Sequence, residues 1–97
     1  MNLDGNTVLV TGGASGIGLS IAKRFLAAGS TVIVCGRRSD KLREAQQRYP
    51  ALHVAVADLS RDDQRAALFD WIVDAFPHLN VLVNNAGIQR PVSLLDA

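Results

Sequence analysis

The residues best suited to chemistry are the glycines of Thr11-Gly12-Gly13-Ala14-Ser15-Gly16-Ile17-Gly18. They follow the apolar run Val8-Leu9-Val10 and open an amphipathic run from Ile17 to Ala28, so they join a strand to a helix. Such a turn aims several backbone N–H groups at one point. The positive end of the helix dipole adds to them there, and a phosphate suits that point. Gly12 permits the tight turn, Gly16 lets a pyrophosphate approach the backbone, and Gly18 lets the helix pack close to the sheet. The spacing is Gly-x-x-x-Gly-x-Gly, not the commoner Gly-x-Gly-x-x-Gly fingerprint, and Leu19 stands where a P-loop would need lysine. Taken alone, the glycines also fit a plain strand-to-helix turn.

Three other groups carry chemical potential. Cys35-Gly36-Arg37-Arg38 closes a second apolar run. A carboxylate at this place would hydrogen-bond the 2′-hydroxyl of an adenosine ribose and repel a 2′-phosphate. Gly36 stands there instead, and Arg37 follows. A guanidinium binds a phosphate through two parallel hydrogen bonds, so the pattern favours NADP(H) over NAD(H). The alternative is a solvated basic loop that opens a helix. Asp58, in Ala57-Asp58-Leu59, could accept a hydrogen bond from an adenine amino group or serve as a turn residue. Asn84-Asn85-Ala86-Gly87 ends a fourth apolar run. Its two amides need partners and could tie strands together and line a groove, or form a polar turn closed by Gly87.

These residues need elements to hold them. Short, valine-rich runs predict strands at Thr7–Thr11, Thr31–Cys35, His53–Ala57 and Val81–Asn84. Their nearly continuous apolar character suits strands covered on both faces of a parallel sheet. Helical periods lie between them: Ile17, Ile21, Phe25 and Ala28 stopped by Gly29; Leu42, Ala45 and Tyr49 stopped by Pro50; and Leu68, Ile72 and Phe76, beside Phe69 and Val73, stopped by Pro77. Ser39 and Asp40 are expected to cap the second helix, and Ser60, with Asp63 three residues on, the third. The alternation predicts an α/β fold, a doubly wound parallel sheet of order 3-2-1-4, with two helices on one face and the third on the other. The reversal between strands one and four is where ligands bind in such sheets, and the glycine turn sits there.

The 97 residues make at most one domain, and 48% hydrophobic with 20% charged residues is the balance of a soluble globular chain. A net charge of +1 gives no argument for nucleic acid or an anionic membrane. No signal peptide or membrane-length apolar run is visible, and one cysteine excludes an internal disulfide, so a cytoplasmic location is expected. His53, His78 and Cys35 lack metal-ligand spacing, and no metal site is expected. Cys35 reads as a small buried residue, and Lys41, Arg43, Glu44 and Arg48 as a solvated helix face.

The glycine turn and Asn84-Asn85-Ala86-Gly87, with Asp58 between them, together resemble the short-chain dehydrogenase/reductase family, and the resemblance covers the whole chain. Within the family the segment is somewhat similar to DltE-type oxidoreductases. The resemblance implies that residues 1–97 form the N-terminal half of a Rossmann-like NAD(P)-binding domain, incomplete relative to the family. It implies that Gly12, Ser15, Gly16, Ile17 and Gly18 form the pyrophosphate and ribose contacts, Arg37 takes the 2′-phosphate with Arg38 as helper, and Asp58 and Leu59 border the adenine. Asn85, Ala86 and Gly87 would lie along the adenosine ribose, with Asn85 also bracing the glycine turn. The activity it implies is hydride transfer between nicotinamide and a small carbonyl or alcohol substrate, in a protein that could be a homo-oligomer.

Family members use a serine, a tyrosine and a lysine, in which the lysine lowers the tyrosine pKa for proton transfer. No residue here matches them. Tyr49, the only tyrosine, is expected on the second helix on the adenine side, with His53 four residues on where a lysine would be needed; Ser93 does not match the family's serine. The chain is therefore expected to bind cofactor without turning over alone. The alternative is a nonenzymatic or truncated nucleotide-binding module. With four strands, Val81–Asn84 becomes an uncovered edge, the third helix sits alone on its face, and Trp71 is expected to be partly exposed.

Overall fold

A computed structural model describes residues 3–12, 14 and 16–85 of the chain. The elements run β1 (Thr7–Thr11), α1 (Gly16–Ala27), β2 (Thr31–Gly36), α2 (Ser39–Arg48), β3 (His53–Val56), α3 (Asp62–Ala75) and β4 (Val81–Asn84). The four strands form one sheet, ordered β3-β2-β1-β4, and every neighbouring pair is parallel. Thr7 pairs with Thr31, Val8 with Val81, and Ile33 with His53. The expected architecture is the observed one.

The strand alternation sorts the core into two layers. Val8, Val10, Val32 and Val34 point to one face, where they pack with Ala22 and Phe25 of α1 and Leu42 and Ala45 of α2. Leu9, Ile33 and Cys35 point to the other and meet Leu68 and Ile72 of α3. A period of two on the strands thus feeds helices on both sides. Burial on both faces holds only for β1 and β2. The outer strands β3 and β4 are half-covered, with Val56 59% and Leu82 50% exposed, because each has a neighbour on one edge only. Trp71 is 41% exposed, as the single helix on that face implies. Its ring meets Phe76 edge-on at 5.4 Å, and Phe76 in turn meets His53 at 5.0 Å.

The helix starts differ from the expected caps. Arg38 holds the N-cap position of α2 and Arg61 that of α3, each in extended conformation and without a side-chain cap bond. Ser39 and Asp40 lie inside the first turn of α2. Ser60 falls one residue short of the cap of α3, and its hydroxyl donates to Asp58 Oδ1 at 2.6 Å. With the Ser60 N–H bonded to the same oxygen, this ties Ser60 into a side-chain turn with Asp58 ahead of the helix. Tyr49 also departs from its expected place. It is the C-cap residue of α2, which starts beyond the carboxyl end of β2 and leads to the amino end of β3, so it lies at the opposite end of the sheet from the glycine turn. Its ring sits there between Lys23 Nζ at 5.4 Å and the Arg48 guanidinium at 5.5 Å.

Among the described residues no helix is long and apolar enough to cross a membrane, and no group of three His, Cys, Asp or Glu side chains could hold a metal ion.

Candidate functional site

The carboxyl ends of the strands are stitched together by backbone bonds that continue the sheet. Gly12 N–H donates to the Cys35 carbonyl at 2.8 Å, and Ala57 N–H to the Gly36 carbonyl at 2.8 Å. A groove of about 650 Å³ opens on this edge. Gly12, Gly36, Arg37, Asp58 and Leu59 line it, with Thr11, Cys35, Ala57, Ser60, Arg65, Phe69, Leu82 and Asn84.

The turn from β1 to α1 bounds the groove. Gly16 has φ +60°, a conformation that L side chains rarely adopt, and a Cβ built on it would meet nothing within 4 Å. The missing side chain therefore leaves open space next to the first backbone amides of α1. Gly18 is the reverse case. A Cβ there would fall 2.3 Å from the Gly12 carbonyl oxygen and 2.8 Å from Asn85 Nδ2, so its side chain is excluded by protein alone. Ile17, between them, is 72% exposed at the helix start.

The end of β4 holds this turn from the other side. Asn85 Nδ2 donates to the Gly12 carbonyl at 3.3 Å, and Thr11 Oγ1 donates to Asn84 Oδ1 at 2.9 Å. Both asparagine amides thus meet groups on the first strand and its turn, and Asn84 also faces the groove. Ser15, Ala86 and Gly87, three of the expected contacts, lie outside the described residues.

The electrostatics of the groove are mixed. Arg37 lines it, whereas Arg38 Nη2 lies 3.5 Å from Asp40 Oδ2 on the exposed start of α2. The Ser60 hydroxyl and then the Ser60 backbone N–H hold the Asp58 carboxyl below its usual range, with smaller help from the charges of Arg37 and Arg61. Asp58 is thus both a turn residue and a groove residue. Cys35 is fully buried, and burial pushes its thiol up to about 11, so it offers no nucleophile at neutral pH.

Residues 6–97 match the family profile described as short chain dehydrogenase. The chain belongs to that family. It is similar to the uncharacterized oxidoreductase DltE of Bacillus subtilis (strain 168), 50% identical over 92 residues that cover 95% of this chain and 36% of that protein. A Pseudomonas aeruginosa structure, the RhlG/NADP active-site complex, superposes with a TM-score of 0.80 at 36% identity, covering 89% of this chain and 36% of its own. A short chain dehydrogenase from Bacillus anthracis superposes with a TM-score of 0.78 at 30% identity, covering 87% and 35%. The chain therefore spans little more than a third of each of these three proteins.

Several groove residues were not singled out from the sequence: Thr11, Ser60, Arg65, Phe69 and Leu82. Phe69 and Leu82 read as core in an apolar pattern, and only the topology brings them to the same opening. Ser60 carried a signal, its separation of two residues from Asp58, but the helix-cap reading absorbed it.

Proposed function

We propose that this chain forms the cofactor-binding part of an NADP(H)-dependent oxidoreductase of the short chain dehydrogenase family. The whole protein would move hydride between nicotinamide and a carbonyl or alcohol group of a small molecule. The observation that carries the reading is a glycine turn with open space at Gly16, whose Gly12 lines the same groove as Arg37, with no carboxylate at the end of β2. Family membership and the likeness to a protein in complex with NADP support it.

In this reading the amides around Gly12, Ser15, Gly16, Ile17 and Gly18 take the diphosphate, since backbone donors and the helix dipole both favour an anion there. Arg37 takes the 2′-phosphate, with Arg38 beside it. Asp58 and Leu59 border the adenine, and Asn85, Ala86 and Gly87 follow the ribose. The nicotinamide, when bound, supplies the hydride donor or acceptor; this chain's residues bind and orient.

The test is calorimetric titration of the chain with NADPH and NADH, followed by assay for hydride transfer to a panel of aldehydes and ketones. Tighter binding of NADPH without turnover by these residues alone is the expected result. Absence of binding to either dinucleotide overturns the cofactor reading, equal affinities overturn the NADP preference, and turnover overturns the division of labour.

A further inference from the structure

The far wall of the groove, Asp58–Ser60, is irregular backbone between β3 and α3, yet it is held at each residue. Ser60 donates to Asp58 Oδ1 through its N–H at 3.0 Å and its hydroxyl at 2.6 Å. Arg65 Nη1 donates to the Leu59 carbonyl at 2.7 Å, while its Nη2 meets Asp62 Oδ1. Asp58 N–H donates to Gln64 Oε1 at 2.7 Å. Two of these holds come from side chains on the first turn of α3, six residues along the chain from the groups they grip. Gln64 is partly buried and does not line the groove, so a ligand there would meet its effect only through Asp58.

We propose that Gln64 is a positioning residue for the adenosine end of the site. By accepting the Asp58 N–H it fixes the backbone from which both the Asp58 carboxyl and Leu59 project into the groove. This inference rests on the cofactor reading above. A wall already ordered before the ligand arrives does not have to be ordered at its expense, and that saving appears as affinity. What matters at Gln64 is the acceptor oxygen. A carboxylate keeps it and suits the start of a helix, whereas a thioether of similar length does not.

The experiment uses the full chain with Gln64→Glu and Gln64→Met, titrated with NADPH and with adenosine 2′,5′-bisphosphate, beside amide hydrogen exchange of the ligand-free proteins. Gln64→Met is expected to weaken both ligands about tenfold and to speed exchange at Asp58, while Gln64→Glu stays within about threefold of wild type. A packing role would give the opposite order, with Met tolerated and Glu not, and overturns the proposal. So does a Gln64→Met protein that binds both ligands like wild type, an outcome that leaves the cofactor reading standing. If the wild-type chain itself binds neither ligand, the cofactor reading falls and takes this inference with it.

Discussion

At the scale of single residues, charge and backbone geometry make separate demands on the ligand. Arg37 supplies a guanidinium on the groove, and a charge-assisted pair with a phosphate is worth about 1.5–3 kcal/mol, or roughly ten- to hundredfold in affinity. Arg37→Ala is therefore expected to weaken NADPH by that factor and NADH by little, which paired calorimetric titrations check; equal losses would remove the 2′-phosphate from this residue. Gly16→Val should act on both dinucleotides alike, because a side chain would occupy the open space beside the turn. The positive φ at this position adds about 1–2 kcal/mol of backbone strain. Affinity measured at a temperature where circular dichroism confirms folding separates the two effects, and unchanged binding would put the phosphates elsewhere. Cys35 makes a pH statement. Its thiol is raised from 9.0 to about 11 in the fold, so the unfolded chain releases that proton first as pH rises. The stability it contributes is complete below 9 and is lost as pH climbs towards 11. Between pH 8.5 and 10.5, denaturant melts should show wild type losing on the order of 2 kcal/mol more unfolding free energy than Cys35→Ala.

At the scale of elements, the sequence disclosed the regular pieces and hid the joints. The strands were legible because valine-rich runs of four to six residues, separated by helical periods, admit few other readings. The turn from β1 to α1 was legible because glycine at an open position and glycine at a crowded one leave the same mark in a sequence and both are required there. The start of α3 was not. Ser60 satisfies the rule for a helix cap and the rule for a side-chain turn with Asp58 equally well, and only the fold shows that it takes the turn and that the helix starts after Arg61. Gln64 and Arg65 were invisible for a related reason: polar residues on the first turn of a helix are ordinarily solvated, and nothing in their types announces a partner six positions earlier. The joint has a titration of its own. The Asp58 carboxyl is held low first by the Ser60 hydroxyl, so Ser60→Ala should raise it towards 3.8. A lowered carboxyl stabilises the fold above its unfolded value and ceases to do so as pH falls through its folded one. Wild type should therefore keep the Asp58–Ser60 turn to lower pH than Ser60→Ala, a difference that carbon-detected NMR titration of the Asp58 side chain would report.

At the scale of the whole molecule, the apolar surface divides unevenly. The face covered by α1 and α2 leaves Val56 on the outer strand 59% exposed, whereas the face under α3 leaves Phe69, Trp71, Val73 and Leu82 between 39% and 71% exposed. A chain of 97 residues buries about 65% of its unfolded surface, so little stability is in reserve and every bound contact weighs heavily. The ligand proposed for the groove would touch the ends of β1, β2 and β3 together, the strands that carry both core layers. It would thus bind the folded chain alone. By mass action a ligand at a hundred times its dissociation constant adds about 2.7 kcal/mol. In a domain of this size that raises the unfolding midpoint by roughly 10–20 °C. NADPH is expected to produce such a rise and NADH, at the same concentration, a smaller one. The gap between them should shrink as salt is raised, because Arg37 works from a solvent-facing groove where screening reaches it. Scanning calorimetry at low and high ionic strength provides the check: a midpoint that NADPH leaves unmoved at saturating concentration contradicts the site, and a gap indifferent to salt contradicts the role given to Arg37.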